Sequence, residues 1–480
     1  MKNSITKPIK NLPTLMARLS IPVMKKLNLF LSIFFLLLSI PGKAQETKYQ
    51  PSWTSLRQHH TPQWLMDAKF GIYCHWGIQT ISYQKGKENL SNDELIKQFK
   101  GEKFDADLWA NLFETAGAKF AGVIGWHGSD FKHWDSGLSD YNSAKMGPKI
   151  DIIGEVFKAV RKRGMKTLVS YHSIKNDDWI DFAKEGVDKY EPDIFWVDAS
   201  FGGTKGAHGE KTVSRSKYIG QAKSTTQAFQ EKYQRELIAY FYNKAIERNK
   251  EVEFVYKSND IPPSVGMRDL ENGILPETAY DVWMTDMDMN VPPDFSTHGW
   301  FYREGIPLRS ANSLVDMLVD VVSKNGIFLL NIPPMADGSF PEEVTNNLTQ
   351  MSKWLRQNGE AIYGTSPWFI YGEGPNDIAA GNHIFHHNNH FAQIAYDKAD
   401  IRFTSKGNDL YATVLGKPEG NLTIRALNTA FKLREGGITR IIHLASGKQV
   451  AFDHNDKALE LKLNNVELDE MANVFRIELR

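Results

Sequence analysis

From about residue 48 onward, short runs of β-branched and aromatic residues alternate with longer stretches whose apolar positions recur at helical spacing. That is the pattern of parallel strands joined by helices, an α/β chain. Strands are predicted at 69–74, 120–126, 166–171, 193–197, 253–257, 282–285 and 327–332. Helical periodicity fills 107–117, 152–164, 178–189, 226–249, 310–325 and 341–358. Gly117, Gly164, Gly326 and Gly359 stand where helix C-caps are expected. Seven strands separated by helices fit a closed (β/α)8-like barrel of TIM type with one strand not located. An open nucleotide-binding sheet fits worse, because no Gly-x-Gly-x-x-Gly or phosphate loop follows any strand. From about 365 the pattern changes to short alternating segments at 383–395, 409–415, 422–425 and 474–479, with no long helix between them. These predict a C-terminal antiparallel β-sandwich.

The expected organisation is a barrel over 45–364 and a sandwich over 365–480. Upstream, Met24-Lys25-Lys26 supplies a basic start, 27–40 an apolar run, and Pro41-Gly42-Lys43-Ala44 a helix-breaking end with small residues, so 24–44 reads as a secretory signal peptide. Residues 1–23 then form an upstream extension, with Met24 as the true start. The apolar run is short for a membrane span and no cysteine follows it to carry a lipid. A secreted protein, periplasmic or extracellular, with no stable membrane insertion after cleavage is expected.

Composition narrows the partner. Lys+Arg and Asp+Glu both total 57, so no net field would draw in nucleic acid or an acidic membrane surface. Twelve Trp suit stacking on sugar rings, although a large core uses them too. A single cysteine, Cys74, excludes an intrachain disulfide or a cysteine metal cluster and reads as a buried, inert thiol.

Working residues of such a barrel lie at the C-terminal ends of its strands. The first strand runs into His75-Trp76-Gly77, the second into Trp126-His127, the third into Tyr171-His172, the fourth into Trp196-Val197-Asp198 and the fifth into Ser258-Asn259. Asp198 stands out, since a carboxylate closing the apolar run Ile194-Phe195-Trp196-Val197 has little packing purpose; capping the next helix is its bland alternative. Glycoside hydrolysis needs two carboxylates, and Glu271, Glu277, Asp286 and Asp288 are all eligible partners by position. His75, His127 and His172 could also line one mouth as metal ligands.

Several long motifs resemble the α-L-fucosidases of glycoside hydrolase family 29. They are Lys69-Phe70-Gly71-Ile72-Tyr73-Cys74-His75-Trp76-Gly77, Trp134-Asp135-Ser136, Asp193-Ile194-Phe195-Trp196-Val197-Asp198, Leu318-Val319-Asp320-Val321-Val322-Ser323-Lys324-Asn325-Gly326, Leu329-Leu330-Asn331-Ile332 and Gly359-Glu360-Ala361-Ile362-Tyr363-Gly364. The chain is similar to a divergent member. The resemblance implies a retaining exo-glycosidase without metal or cofactor, acting on fucosylated oligosaccharide or polysaccharide. It implies Asp198 as nucleophile and, through Asp269-Leu270-Glu271-Asn272-Gly273 and Trp283-Met284-Thr285-Asp286, Glu271 as acid/base. It implies substrate contacts for Tyr73, His75, His127 and Trp196; strand-end position adds Trp126, Tyr171 and His172 as candidates, and Trp300 is a candidate stacking wall for the methyl edge of a 6-deoxy sugar.

Three departures bear on the sugar accepted. Gly128 stands where the family doubles its histidine, 78–100 contains no Glu-Trp pair, and Lys257 or Ser258 replaces a family arginine. A related α-glycosidase acting on L-galactose-like residues, or a glycan-binding homologue without activity, are the alternatives.

Overall fold

The computed structural model describes residues 48–172, 179–198, 225–257, 261–291, 299–376, 395–430 and 437–480, the side chains of Asp198 and of 225–233 excepted. The signal segment, the extension before it, Ser258-Asn259 and most of the strand expected at 383–395 lie outside the described residues. No helix among the described residues is long and apolar enough to cross a membrane.

Eight parallel strands close into a barrel: β1 (Phe70–Cys74), β2 (Phe120–Trp126), β3 (Lys166–His172), β4 (Ile194–Asp198), β5 (Glu253–Tyr256), β6 (Met267–Asp269), β7 (Trp283–Asp288) and β8 (Gly326–Asn331). The register closes with Phe70 opposite Phe328. The strand not located from sequence is β6, whose three residues are too few to carry a period.

Side chains sort by alternation. Tyr73, Phe120, Ile124, Leu168, Ile194, Trp196, Val255, Met267, Met284, Ile327 and Leu329 fill the barrel interior as one cluster. Their strand neighbours Ile72, Val123, Val169, Phe195, Phe254, Phe328 and Leu330 belong to a second cluster under the helices. Burial on both faces is why the strands read as continuous apolar runs.

The surrounding helices are Ala106–Thr115, Ile152–Lys162, Trp179–Tyr190, Thr225–Glu247, Ala311–Ser323 and Glu342–Asn358. Asp105, Asp151 and Ser310 cap three of them by accepting backbone N–H groups of the first turn. Gly117 and Gly164 have the left-handed backbone expected of helix ends. Gly326 and Gly359 do not. Asn325 takes that conformation in place of Gly326, which instead opens β8 where a Cβ would meet Val321 and Trp283. Gly359 continues into a 3-10 turn, Gly359–Ala361. Cys74 is buried and desolvation pushes its thiol well above the usual range, in keeping with an inert group.

Beyond the barrel, β9 (Ser366–Glu373), β10 (Ile401–Lys406), β11 (Asp409–Val414), β13 (Ile438–His443), β14 (Lys448–Gln449) and β17 (Asn473–Leu479) form an antiparallel sheet. The strands β12 (Leu422–Ile424), β15 (Ala451–His454) and β16 (Leu459–Lys462) form a smaller one. Phe403, Leu410, Ala412, Phe475 and Ile477 of the first pack on Ile424, Leu459 and Leu461 of the second, which makes a sandwich.

The larger sheet's other face docks on the barrel. Arg402 Nε lies 2.6 Å from Asp320, which also takes the Lys324 ammonium at 2.9 Å, all three buried. Tyr411 donates to Glu360 at 2.8 Å and Thr404 to the Ala361 carbonyl. The motif runs 318–326 and 359–364 are therefore the seam between barrel and sandwich, where a buried charge keeps its place only with its partners in register.

Candidate active site at the C-terminal mouth of the barrel

Every strand of the barrel ends in, or leads directly to, a polar residue at this mouth. Strand β1 leads to His75, β2 to His127, β3 ends in His172 and β4 in Asp198, opposite which His172 stands in register. Strand β5 leads to Lys257, β6 ends in Asp269, β7 carries Asp286 and Asp288, and β8 ends in Asn331. The side chain of Asp198 lies outside the described residues. Position 198 comes two residues after Trp196 on a strand bonded to β5, as β6 is.

Glu271 reaches the mouth because the turn after β6 extends the strand pairing and no helix intervenes before β7. The Leu270 N–H donates to the Met284 carbonyl and the Asn272 N–H to the Asp286 carbonyl, each at 2.8 Å. Thr285 Oγ1 donates to the Leu270 carbonyl. Asn272 turns the chain with a left-handed φ of 45°, a conformation Asn tolerates. The result is a carboxylate on a rigid edge, 5% exposed.

Lys257 organises the acidic side. Its ammonium, 1% exposed as a residue, lies 2.8 Å from Asp286 Oδ2, 3.1 Å from Glu271 Oε2 and 3.7 Å from Asp269 Oδ2. It also stands 4.8 Å from the ring centre of Trp196 and 5.5 Å from that of Trp300. Tyr73 donates to Asp286 Oδ2 at 3.2 Å. Among the described residues one ammonium faces three buried carboxylates, an excess of negative charge when all are ionised.

Opposite lies an imidazole group. The ring centres of His75 and His172 are 4.9 Å apart, those of His127 and His172 4.8 Å, and those of His75 and His127 5.6 Å. Trp300 lies 5.3 Å from His75, and Phe301 5.2 Å from both His75 and His127. One nitrogen from each imidazole falls within 4.8 Å of the others. Two partners of these rings are protein groups: His75 Nδ1 meets Asn331 Oδ1 at 3.0 Å and His172 Nε2 meets Ser170 Oγ at 2.8 Å. Such an arrangement can bind several hydroxyl groups, since each neutral ring offers one donor and one acceptor, or it can ligate a transition metal.

The structure thus brings together Tyr73, His75, His127, His172, Trp196, Trp300 and Glu271. It corrects Trp126 and Tyr171. These two rings stack on each other at 4.4 Å, against Trp134, in the layer between strands and helices. On β3 alternation alone turns Tyr171 outward with Val169, and a Cβ on Gly186 of the helix Trp179–Tyr190 would fall 1.9 Å from its hydroxyl. On β2 a register irregularity between Ile124 and Trp126 turns Trp126 out and leaves His127 at the mouth. Among the other carboxylates weighed, Asp286 and Asp288 are in the site. Lys257 is there too, on a strand end that the sequence marked only as a departure, while Ser258 lies outside the described residues.

Asp288 is buried, and desolvation pushes its carboxyl from an ordinary 3.8 up to about 7, against hydrogen bonds from Asn331 and Asn290 and the nearby Arg309. The folded protein holds this proton to about pH 7, whereas the unfolded chain releases it near 3.8. The resulting stabilisation is complete below about 3.8 and is lost as the pH rises through 7. In an Asp288→Asn variant that loss is absent. Its Tm relative to wild type should climb between pH 4 and pH 8 in calorimetric scans; a difference that stays constant or falls would refute the assignment.

A family model described as Alpha-L-fucosidase matches residues 36–182 and 174–360. The tissue alpha-L-fucosidase of Rattus norvegicus is 26% identical over 467 residues, covering 85% of this chain and 90% of its own. The alpha-L-fucosidase of Dictyostelium discoideum is 27% identical over 404 residues, covering 70% and 79%. Among solved structures, a Thermotoga maritima alpha-fucosidase in complex with fucose superposes with a TM-score of 0.68 at 26% identity, covering 90% of this chain and all of that one.

Proposed function

From the premise that the chain belongs to the α-L-fucosidase family of glycoside hydrolases, we propose that it releases terminal α-L-fucosyl residues from glycans by a retaining mechanism, with Asp198 as nucleophile and Glu271 as acid/base. The observation that carries this reading is the position of Glu271: a buried carboxylate at the barrel mouth, held by the Lys257 ammonium that also stands over the rings of Trp196 and Trp300.

Asp198 attacks the anomeric carbon and forms a glycosyl-enzyme ester as the bond to the leaving oxygen breaks. Glu271 gives its proton to that oxygen, then takes one from the water that hydrolyses the ester. The transition state carries oxocarbenium-like positive charge, and a floor in which carboxylates outnumber cations among the described residues favours it electrostatically. Lys257 moderates that excess and holds Glu271 and Asp286 in place. Trp196 and Trp300 supply apolar wall for the ring edge and methyl of a 6-deoxy sugar.

Gly128 lacks the imidazole of its family position. His172, from the neighbouring strand, supplies a third ring beside His75 and His127, so hydroxyl recognition is redistributed. Fucose is the proposed sugar on that ground, with an α-L-galactoside as the nearest variant. Segment 24–44 is proposed to export the enzyme to the periplasm or exterior.

Nitrophenyl α-L-fucoside and α-L-galactoside, assayed with the full chain, separate the readings. Hydrolysis of the fucoside, with α-L-fucose as first product by proton NMR and undiminished activity in a chelator, is expected, from an exported protein whose N-terminus lies after residue 44. Turnover of neither sugar, with fucose binding seen by calorimetry, would leave the non-catalytic alternative. Loss of activity in the chelator would instead favour a metal on the three histidines.

A further inference from the structure

We propose that Asn331 is a positioning residue that fixes His75 as its Nδ1–H tautomer, making Nε2 of that ring a hydrogen-bond acceptor for a sugar hydroxyl. This rests on the glycosidase reading of the barrel mouth. Asn331 belongs to the motif run 329–332, to which neither substrate contact nor catalysis assigns a role. It is fully buried at the end of β8, in the alternation of Ile327 and Leu329.

Four contacts determine its amide. Oδ1 lies 3.0 Å from the backbone nitrogen of His75 and 3.0 Å from His75 Nδ1. Nδ2 lies 2.9 Å from Asp288 Oδ1 and 2.7 Å from the Trp300 carbonyl. A backbone N–H only donates and a carbonyl only accepts, so the amide has one satisfied orientation. The reverse would set NH2 against the His75 N–H and oxygen against the Trp300 carbonyl, leaving buried groups unpaired. With Oδ1 fixed as an acceptor, its contact to His75 Nδ1 is a hydrogen bond only if Nδ1 carries hydrogen. In the neutral ring Nε2 then has a lone pair, and the ligand group it selects is a donor. The same amide anchors the Trp300 backbone, so one side chain sets both the imidazole and the indole that stands 5.3 Å from it.

Two measurements test this. In full-length protein carrying 15N-histidine, the His75 signal is identified by its loss in His75→Ala. At a pH where the ring is neutral, Nδ1 should resonate as the protonated nitrogen and Nε2 as the unprotonated one. In Asn331→Ala the pattern should move toward the Nε2–H form. A wild-type Nε2–H ring overturns the proposal, and this reading stands even if the variant fails to fold or the enzyme proves inactive on both sugars. Kinetically, Asn331→Ala should lower kcat/KM for nitrophenyl α-L-fucoside about tenfold, the scale of one buried hydrogen bond. In a His75→Ala background the same change should cost clearly less than tenfold, because only its hold on the Trp300 backbone is then left to lose. Independent, additive losses would mean that Asn331 does not act through His75.

Discussion

Glycine in place of Asp198 is expected to lower kcat/KM for an aryl α-L-fucoside on the order of 10⁴-fold, equivalent to about 5.4 kcal/mol of transition-state stabilisation. Removing the carboxylate removes the attacking oxygen and the ester intermediate, while the imidazole and tryptophan walls remain. Sodium azide should recover part of the rate, since a small anion can enter from the side the carboxylate vacated, and the product should be the β-linked fucosyl azide, inverted at the anomeric carbon. Position 198 ends β4, and glycine there truncates an edge of the mouth without breaking the β4 ladder to β3 or β5. A far-ultraviolet spectrum and Tm near wild type would accompany the loss. Full retention of activity, or azide product with retained configuration, would remove Asp198 from the nucleophile's role.

What the sequence revealed follows physical scale. Barrel strands buried on both faces, such as Phe120–Trp126 with every residue buried, announce themselves as apolar runs, and so do the helices with one buried stripe. Strand β6 did not, because three residues held by neighbours on either side need no period of their own. Glu271 was one of four carboxylates eligible by position, and only the family resemblance singled it out. Strand-end reading was legible for His75, which follows the apolar run of β1. It misled at Trp126, where a single register irregularity reverses in and out, and at Tyr171, next to the ring that does line the mouth. Both errors came from treating a strand end as one unit when adjacent residues face opposite sides of the barrel wall. The seam residues Asp320, Lys324 and Glu360 were visible as motif, yet their role depends on Arg402, Tyr411 and Arg476, which come from the sandwich and leave no local trace. Lys257 read as a lost arginine. Only the convergence of β5, β6 and β7 identifies it as the cation at the centre of three carboxylates.

Glutamine in place of Glu271 should separate two steps that the nucleophile variant cannot. Loss of general acid catalysis is expected to cost about 10²–10⁴-fold, and the loss should depend on the leaving group. A dinitrophenyl fucoside, whose phenolate departs without a proton, should form the glycosyl-enzyme at near wild-type rate and then stall, because Glu271 also activates the water of the second step. Azide should restore turnover by attacking the accumulated ester at the face opposite Asp198, and this product should be the α-linked azide, of the opposite configuration to that from Asp198→Gly. Glutamine keeps an oxygen within reach of the Lys257 ammonium, now 3.1 Å from Glu271 Oε2, so the floor retains Asp269 and Asp286 around a paired cation. The pH profile discriminates further: the alkaline limb of kcat/KM for a poor leaving group, set by ionisation of the general acid, should disappear in the variant. If the limb persists and all substrates slow equally, the proton comes from another carboxylate of the cluster, and Asp286, on the same ammonium, becomes the donor to test.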